Sequence, residues 1–202
     1  MASKIQIFNM ALSRVGTALI SDPDGFGGGT EQLRLFWDLV LDEELRGFQW
    51  NFATKRTALA LLAATPVGYD YAYSLPTDCL FVRHLLDEDG NRDDTYEWEV
   101  ESGELLTDME DARVLYTREI TDPNDFSAIF TSMFAARLAA EVCPVIKPQD
   151  GKKQMNLWRV YDLLLTKAKY SDAREKRKKQ EQTNAFLLAR GASALNDNAD
   201  ES

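Results

Sequence analysis

The chain has 202 residues, a hydrophobic content of 45% and a net charge of −10. This length and composition suffice for one large globular domain or for a domain with an insertion. Such a chain can bury a hydrophobic core without disulfides or a structural metal. A protein that grips a nucleic-acid backbone over most of its surface is usually basic, so the charge argues against that class. The charge suits a wall along which DNA passes without sticking, and it equally suits an ordinary acidic protein.

The N-terminal residues 1–5 lack the long apolar stretch of a signal peptide, and no apolar run reaches the roughly 20 residues that span a bilayer. We therefore expect the protein to be made or assembled in a cytoplasm, without membrane contact. Two distant cysteines, Cys79 and Cys143, form neither a metal motif nor a disulfide framework. We expect both to be small buried apolar residues.

Two segments near the N-terminus have the periodicity of amphipathic helices. The first is predicted to begin at its N-cap, Ser3, and to end at Gly16. The second is predicted to begin at its N-cap, Thr30, and to end near Gly47. Residues 21–29 between them form a glycine-rich connection that lacks the spacing of a phosphate-binding loop. The predicted solvent side of the second helix carries Asp42, Glu43, Glu44 and Arg46.

Two further helices are predicted in the C-terminal half. One follows Pro123, has an alanine-rich face that lets a neighbouring helix approach closely, and stops at Pro144 and Pro148. The other begins near Lys152 and keeps a helical composition to about Gln182, a length of roughly 45 Å. Its last turns lack an apolar face, so they are predicted to project from the body or to lie on a partner.

The segment between the two helical parts has the two-residue alternation of β-strands. Strands are predicted at residues 69–75, 79–86, 96–101, 105–107 and 112–116. The whole pattern predicts an α+β fold, in which a bundle of about four helices carries an inserted antiparallel β-domain and a long C-terminal helix plus tail. The predicted divisions are residues 1–53 and 121–170 for the helical bundle, 54–120 for the β-domain insertion and 171–202 for the C-terminal extension.

Residues 49–56, at the junction between the second helix and the β-segment, combine two aromatic residues with a basic pair. These residues are Trp50, Phe52, Lys55 and Arg56. The group contains no catalytic constellation, so it predicts a structural packing corner.

Residues that carry chemistry are few. The single histidine, His84, lies in a predicted strand, where a structural role is favoured over catalysis or zinc binding. Residues 87–111 are rich in carboxylates, which can bind a divalent cation or do acid–base work. Glu97, Glu99 and Glu101 share one strand face, as on a strand that meets solvent or passing DNA. No catalytic residue, metal site or cofactor is predicted.

The C-terminal segment has a basic part and an apolar part. The basic part is Arg174, Lys176, Arg177, Lys178 and Lys179, followed by the apolar cluster Phe186, Leu187 and Leu188 and by Arg190. The basic part lacks interleaved aromatics, so a solvated face or an acidic protein partner is favoured over nucleic-acid binding. The apolar cluster is either a frayed terminus or, as we favour, an anchor that inserts into a partner protein.

Several short motifs follow one another in a characteristic order over residues 3–170. They are Asn9, Ala11, Leu12 and Gly16; Trp37, Asp38, Asp42 and Glu43; Trp50, Asn51, Phe52, Ala53, Lys55 and Arg56; Tyr71, Ala72 and Tyr73; Leu75, Pro76, Asp78 and Cys79; Thr121, Asp122, Pro123 and Phe126; and Ala135, Ala136, Arg137, Leu138 and Ala139. Together they resemble the head–tail adaptor family of short-tailed bacteriophages, also called tail tubular protein A.

The resemblance implies a structural virion protein without enzyme activity. In that family twelve copies form a ring between the dodecameric portal and the tail nozzle, continue the DNA ejection channel and can help to hold tail fibres. The implied partners are therefore other copies of the chain, the portal, the nozzle, a tail fibre and genomic DNA that passes without specific binding. The implied location is the head–tail junction of the virion, after assembly in the host cytoplasm. The resemblance gives portal docking to residues 170–190, with Phe186, Leu187 and Leu188 as the anchor.

Two other functions stay open at the level of sequence. One is a metal-dependent hydrolase of the tail that uses the acidic β-segment. The other is a monomeric DNA-binding accessory protein that uses the basic run at residues 174–179.

Overall fold

The computed structural model describes residues 3–27, 29–63 and 66–175. These residues form four α-helices and two four-stranded antiparallel sheets, so the fold class is mixed α+β. The helices are α1 (Lys4–Val15), α2 (Thr30–Gly47), α3 (Ala128–Ile146) and α4 (Gly151–Glu175). The strands are β1 (Thr54–Ala58), β2 (Ala60–Leu61), β3 (Tyr71–Ser74), β4 (Cys79–Leu86), β5 (Arg92–Asp93), β6 (Trp98–Glu101), β7 (Glu104–Thr107) and β8 (Arg113–Arg118).

Helix α1 has the predicted beginning and end. The Ser3 hydroxyl accepts a hydrogen bond from the Gln6 amide at 3.3 Å, and the Gln6 side chain accepts one from the Ser3 amide at 3.0 Å. This reciprocal pair satisfies two amides that a helix N-terminus leaves without partners. Gly16 ends the helix in the left-handed conformation, with φ +79°, and its amide donates to the Leu12 carbonyl.

Helix α2 begins differently from the prediction. Thr30 is the first helical residue, and the N-cap is Gly29, whose φ is +88°. The Thr30 hydroxyl cannot cap the helix because it donates backwards to the Gly27 carbonyl at 2.8 Å. Glycine suits position 29 because a left-handed backbone carries no Cβ penalty there.

Helix α3 continues through one of its predicted stop signals. Pro144 lies inside the last turn, and the helix ends at Ile146, immediately before Lys147. Lys147 leaves the helical conformation because the ring of Pro148 disfavours helical geometry at the preceding residue. A proline near a helix C-terminus costs one hydrogen bond, whereas Pro148 determines where α3 ends.

The four helices share one hydrophobic core. Aromatic rings fill its centre: Trp37 meets Phe8 and Phe134 edge-to-face at 5.4 and 5.0 Å between ring centroids. The predicted alanine-rich face of α3 is fully buried, which lets α1 and α4 pack closely against it. Helix α3 is long and apolar enough to cross a membrane by length and composition, and 61% of its most apolar window is buried inside the protein.

The β-segment forms two sheets where the sequence pattern suggested one β-domain without a division. Their strand orders are β1-β8-β4-β5 and β2-β3-β7-β6. Strands β1, β2 and β5 were missed, because two of them have only two residues and β1 lacks a clear apolar alternation. Tyr69 and Tyr96, predicted at strand ends, lie outside β3 and β6.

The two sheets bury a second hydrophobic core between them. Tyr73 of β3, Leu85 of β4, Leu105 of β7 and Val114 of β8 belong to this one cluster. The Tyr73 hydroxyl donates to the Met109 carbonyl at 2.9 Å, so the buried phenol is satisfied. Of the two cysteines, Cys143 is fully buried in the helical core, as expected, whereas Cys79 is only half-buried.

Replacement of Gly29 by alanine should destabilise the protein more than the same change at Gly27. Both residues have φ near +80°, at +88° and +82°, so both variants carry a left-handed penalty of about 1 kcal/mol. A Cβ on residue 29 would lie 2.6 Å from Ile146 Cδ1, whereas nothing lies within 4 Å of a Cβ on residue 27. We expect G29A to lose about 1–3 kcal/mol more than G27A in urea unfolding. Equal losses would contradict this packing, and I146V should recover part of the G29A deficit.

Candidate functional site

The predicted corner, residues 49–56, lies against the C-terminal end of α2. The indole of Trp50 is buried, contacts Phe48 and Phe130 edge-to-face at 4.7 and 5.0 Å between centroids, and stacks on Phe52 at 6.2 Å. Its Nε1–H donates to the Glu44 carbonyl at 2.8 Å. The corner therefore combines aromatic packing with satisfaction of a helix-terminal carbonyl, which otherwise has no partner within the helix.

An arginine of the β-part binds two further carbonyls at this helix end. Arg83, on β4, donates from Nη2 to the carbonyls of Leu45 and Phe48 at 2.8 and 3.0 Å. Its Nε donates to the Thr117 hydroxyl on β8 at 2.8 Å. The guanidinium thus connects the end of α2 to two neighbouring strands. A planar fork with several donors makes these bonds at once, which a lysine cannot do.

The two basic residues of the corner have different surroundings. Lys55 forms an ion pair with Asp78 at 2.6 Å, and the Tyr116 hydroxyl donates to the same carboxylate at 2.9 Å. The Lys55 ammonium, followed by the Tyr116 hydroxyl, holds the pKa of Asp78 below its ordinary value. Burial and the nearby carboxylate raise the pKa of Tyr116 to about 12. Arg56 is exposed on β1.

The corner also holds the described end of α4. The Asn51 amide donates to Asp172 Oδ1 at 2.9 Å, and the Asn51 side chain donates to the Asp172 carbonyl at 2.6 Å. Asp172 is buried, and the bond from the Asn51 amide compensates for part of the hydration that its carboxylate loses. Trp50 and Asn51 therefore connect the ends of α2 and α4 at one place.

A polar clamp joins α2, α3 and α4 beside the corner. The Tyr161 hydroxyl donates to the buried carboxylate of Glu44 at 2.6 Å. Arg137, on α3, pairs with Glu43 and Glu141, both at 2.9 Å, and its guanidinium carbon lies 4.6 Å from the centroid of Trp158. Four of these side chains line a cavity of about 220 Å³: Glu43, Glu44, Arg137 and Tyr161. Within the described residues, Arg137 Nε is buried and has no hydrogen-bond partner.

The prediction that Glu44 faces solvent was wrong. Glu44 lies seven residues after Trp37 and three after Leu41, so helical periodicity already placed it on the buried side of α2. Burial raises the pKa of its carboxyl, and the hydrogen bond from Tyr161 and the charge of Arg137 act in the opposite direction. Burial and the neighbouring Glu44 raise the pKa of Tyr161. Sequence reasoning missed this clamp because it treated charge as a sign of exposure.

The predicted acidic strand lies at the edge of its sheet. Glu97, Glu99 and Glu101 are exposed, and β6, which carries the last two, has a single neighbour, β7. Desolvation, followed by the negative charges of Glu99 and Glu97, raises the pKa of Tyr69. Charged side chains on an edge strand discourage pairing with other chains, which is a structural reason for their presence.

The rest of the acidic concentration lies elsewhere. Asp87, Asp93 and Asp111 line a cleft of about 300 Å³ that also contains Arg113. Asp87 accepts a hydrogen bond from the Asn91 amide at 2.7 Å, and Asp93 accepts one from the Thr95 amide at 2.8 Å, so both stabilise turns. In the described part of the chain, no three metal-ligating side chains come together.

The remaining candidate residues occupy ordinary structural positions. His84 is half-buried within β4. Burial raises the pKa of the Cys79 and Cys143 thiols, which reduces the fraction of reactive thiolate.

Among the predicted portal-docking residues, only Arg174 belongs to the part that the structure describes, and it is exposed near the end of α4. The others lie outside the described residues: Lys176, Arg177, Lys178, Lys179, Phe186, Leu187, Leu188 and Arg190.

No protein-family model matches this chain, and no curated protein matches it.

Replacement of Glu44 by glutamine should remove a pH-dependent cost of folding. The folded pKa of Glu44 is raised above its ordinary value of 4.5. The protonated carboxyl therefore contributes stability that is fully present below pH 4.5 and is lost as the pH rises through the folded pKa. E44Q lacks this loss, so its free energy of unfolding relative to wild type should increase from pH 4 to pH 8, by about 1.4 kcal/mol per unit of pKa shift.

Urea unfolding across this pH range measures the difference. Y161F removes a hydrogen bond that lowers the pKa of Glu44, so it should steepen the pH dependence. The double variant E44Q/Y161F should lose that effect. Parallel stability curves for wild type and E44Q would contradict the burial of an ionisable carboxyl at this position.

Proposed function

We propose that this chain is the subunit of a head-to-tail adaptor ring in a short-tailed bacteriophage. About twelve copies would join the portal to the tail nozzle, continue the DNA ejection channel and help to hold tail fibres. In this proposal the chain is a structural protein of the virion that assembles in the host cytoplasm, and it has no catalytic role.

The observation that carries the proposal is the position of the motif residues in the fold. The Asn9 side chain donates a hydrogen bond to the Ile20 carbonyl at 3.0 Å and accepts one from the Ile20 amide at 2.8 Å. Gly16 ends α1. Trp50 and Asn51 connect the ends of α2 and α4, and Asp78 accepts from two side chains. These motif residues therefore end helices, fix turns and connect secondary-structure elements. Shared residues of this kind support a shared architecture.

The finer architecture is part of the same proposal. Residues 1–53 and 121–170 would form a helical bundle, residues 54–120 an inserted β-domain, and residues 171–202 the portal-docking extension. Two separate buried clusters support this division, because one draws on the helices and the corner and the other on the strands. A subunit with two firmly joined parts offers a ring two contact surfaces of different chemistry.

The acidic charge suits the proposed channel. A chain with net charge −10 repeated around a ring would create a strongly negative field. Glu97, Glu99 and Glu101 are exposed and could face either the channel or solvent. DNA would be repelled from such a wall and would pass without specific binding.

The proposal predicts a stoichiometric complex with the portal of the same phage. Sedimentation of the purified chain mixed with that portal should give a complex with one adaptor per portal subunit. A chain truncated after Gln182 should bind more weakly, because it lacks the apolar anchor at residues 186–188. Binding by the truncated chain equal to that of the full chain would keep the adaptor and reject the anchor.

Two matched variants sharpen this assay. A chain truncated after Gly191 keeps the anchor and loses only the small acidic terminus, so it should bind as the full chain does. The triple variant F186D/L187D/L188D keeps the full length and should bind as weakly as the chain truncated after Gln182. Absence of any portal complex with the full chain would contradict the proposed function.

The hydrolase alternative makes a different prediction for the acidic strand. Changing Glu97, Glu99 and Glu101 together to glutamine should leave portal binding intact in an adaptor. The same change should abolish metal-dependent cleavage of a cell-wall polymer if the acidic strand were catalytic.

A further inference from the structure

Helix α2 presents an apolar and acidic surface to solvent. Leu35 and Leu39, one turn apart, are 73% and 56% exposed. The outward side of α2 also carries Glu31, Asp38, Asp42, Glu43 and Arg46. Arg46 is paired with Asp42, and Glu43 with Arg137, whereas Glu31 and Asp38 form no ion pair with a described residue. We call Leu35, Leu39 and these charged residues the acidic face.

Helix α4 presents to solvent a surface that combines apolar and basic residues. Leu163 and Tyr170 are 56% and 66% exposed and lie two turns apart, on the side opposite to buried Leu157 and Ala168. Over the described turns, this outward side carries Lys152, Arg159, Lys167, Arg174 and Asp162. None of the four basic residues forms an ion pair with a described residue. We call Leu163, Tyr170 and these charged residues the basic face.

The two faces are separate surfaces of one chain. The buried sides of α2 and α4 both pack on α3, so the acidic and basic faces point outwards from the shared core. Two acidic faces or two basic faces would repel each other on contact. When an acidic face packs against a basic face, Leu35 and Leu39 are buried against Leu163 and Tyr170. The opposite charges of the two faces also neutralise each other.

We propose that the acidic face of one copy packs against the basic face of a second copy. Such a contact is heterologous, so every copy has one face of each kind left to continue the assembly. Repetition gives a ring when the rotation between copies closes and a filament when it does not. The inference deepens the proposed adaptor function, on which it rests only for closure into a ring, since the contact itself can be measured without a portal.

Charge reversal tests the contact. The α2 variant E31K/D38K should have two basic faces, and the α4 variant R159E/R174E two acidic ones. Wild type should show a concentration-dependent increase in mass in sedimentation equilibrium up to about 1 mM, and each variant alone should lose it. An equimolar mixture of the two variants should recover it. L35S/L39S should lose it as well, and E97K/E99K/E101K, reversed on the edge strand, should keep it.

Cysteine crosslinking identifies the geometry. In a C79S background, chains that carry L39C and chains that carry L163C should form a mixed disulfide dimer when combined under oxidation. Mixtures of L39C with L39C, or of L163C with L163C, should give little. The inference would be overturned if neither the mixed cysteine pair nor the variant mixture associates. It would also be overturned if the L163C thiol of the dilute full-length chain does not react with maleimide.

These outcomes separate the contact from the function. Stoichiometric portal binding without the mixed crosslink would reject the contact and keep the adaptor. The mixed crosslink without portal binding would establish a self-assembling subunit and reject the adaptor.

Discussion

The last carbonyls of α2 are the constraint on which the rest of the structure depends. A helix leaves its final carbonyls without intrahelical partners, and near the end of α2 the residues Glu44 and Leu45 are buried. Trp50, from the corner, donates to the Glu44 carbonyl. Arg83, from β4, donates to the carbonyl of Leu45 in α2 and to that of Phe48, the residue that follows the helix. The chemical need of one helix end therefore determines where the helical and β-parts meet.

We call these contacts of Trp50 and Arg83 at the end of α2 the joint. Because the joint uses residues from both the helical part and the β-part, disruption of one hydrophobic core should weaken the other. Arg83 also binds Thr117, which belongs to a buried strand, and Asn51 fixes α4 through Asp172. The Glu44–Tyr161 bond and the Arg137 ion pairs continue this connection across α2, α3 and α4. A subunit built in this way can carry load between a surface on its helices and a surface on its sheets, as the proposed connector ring would require.

Periodicity predicted what depends on local sequence, and it failed where long-range contacts decide. Ser3, Gly16 and the apolar run at residues 79–86 act within a few residues, so α1 and β4 were predicted well. Thr30 and Pro144 were misjudged because Gly27 and Pro148 compete with the local signals. The hydrogen bonds of Arg83 and the Glu44–Tyr161 bond depend on partners 34 to 117 residues away, which no local pattern contains. The burial of Glu44 was present in the helical periodicity and was overlooked because the residue is charged.

Hydrogen exchange followed by mass spectrometry tests most directly whether the joint makes one body of the two cores. In wild type, amides of α1 and β7, neither of which Arg83 contacts, should open with the same free energy and the same urea dependence. In R83M they should separate, with β7 opening first, whereas R56M should behave as wild type does. Different opening free energies in wild type, or an R83M variant in which α1 and β7 still open together with wild-type free energy, would contradict the account.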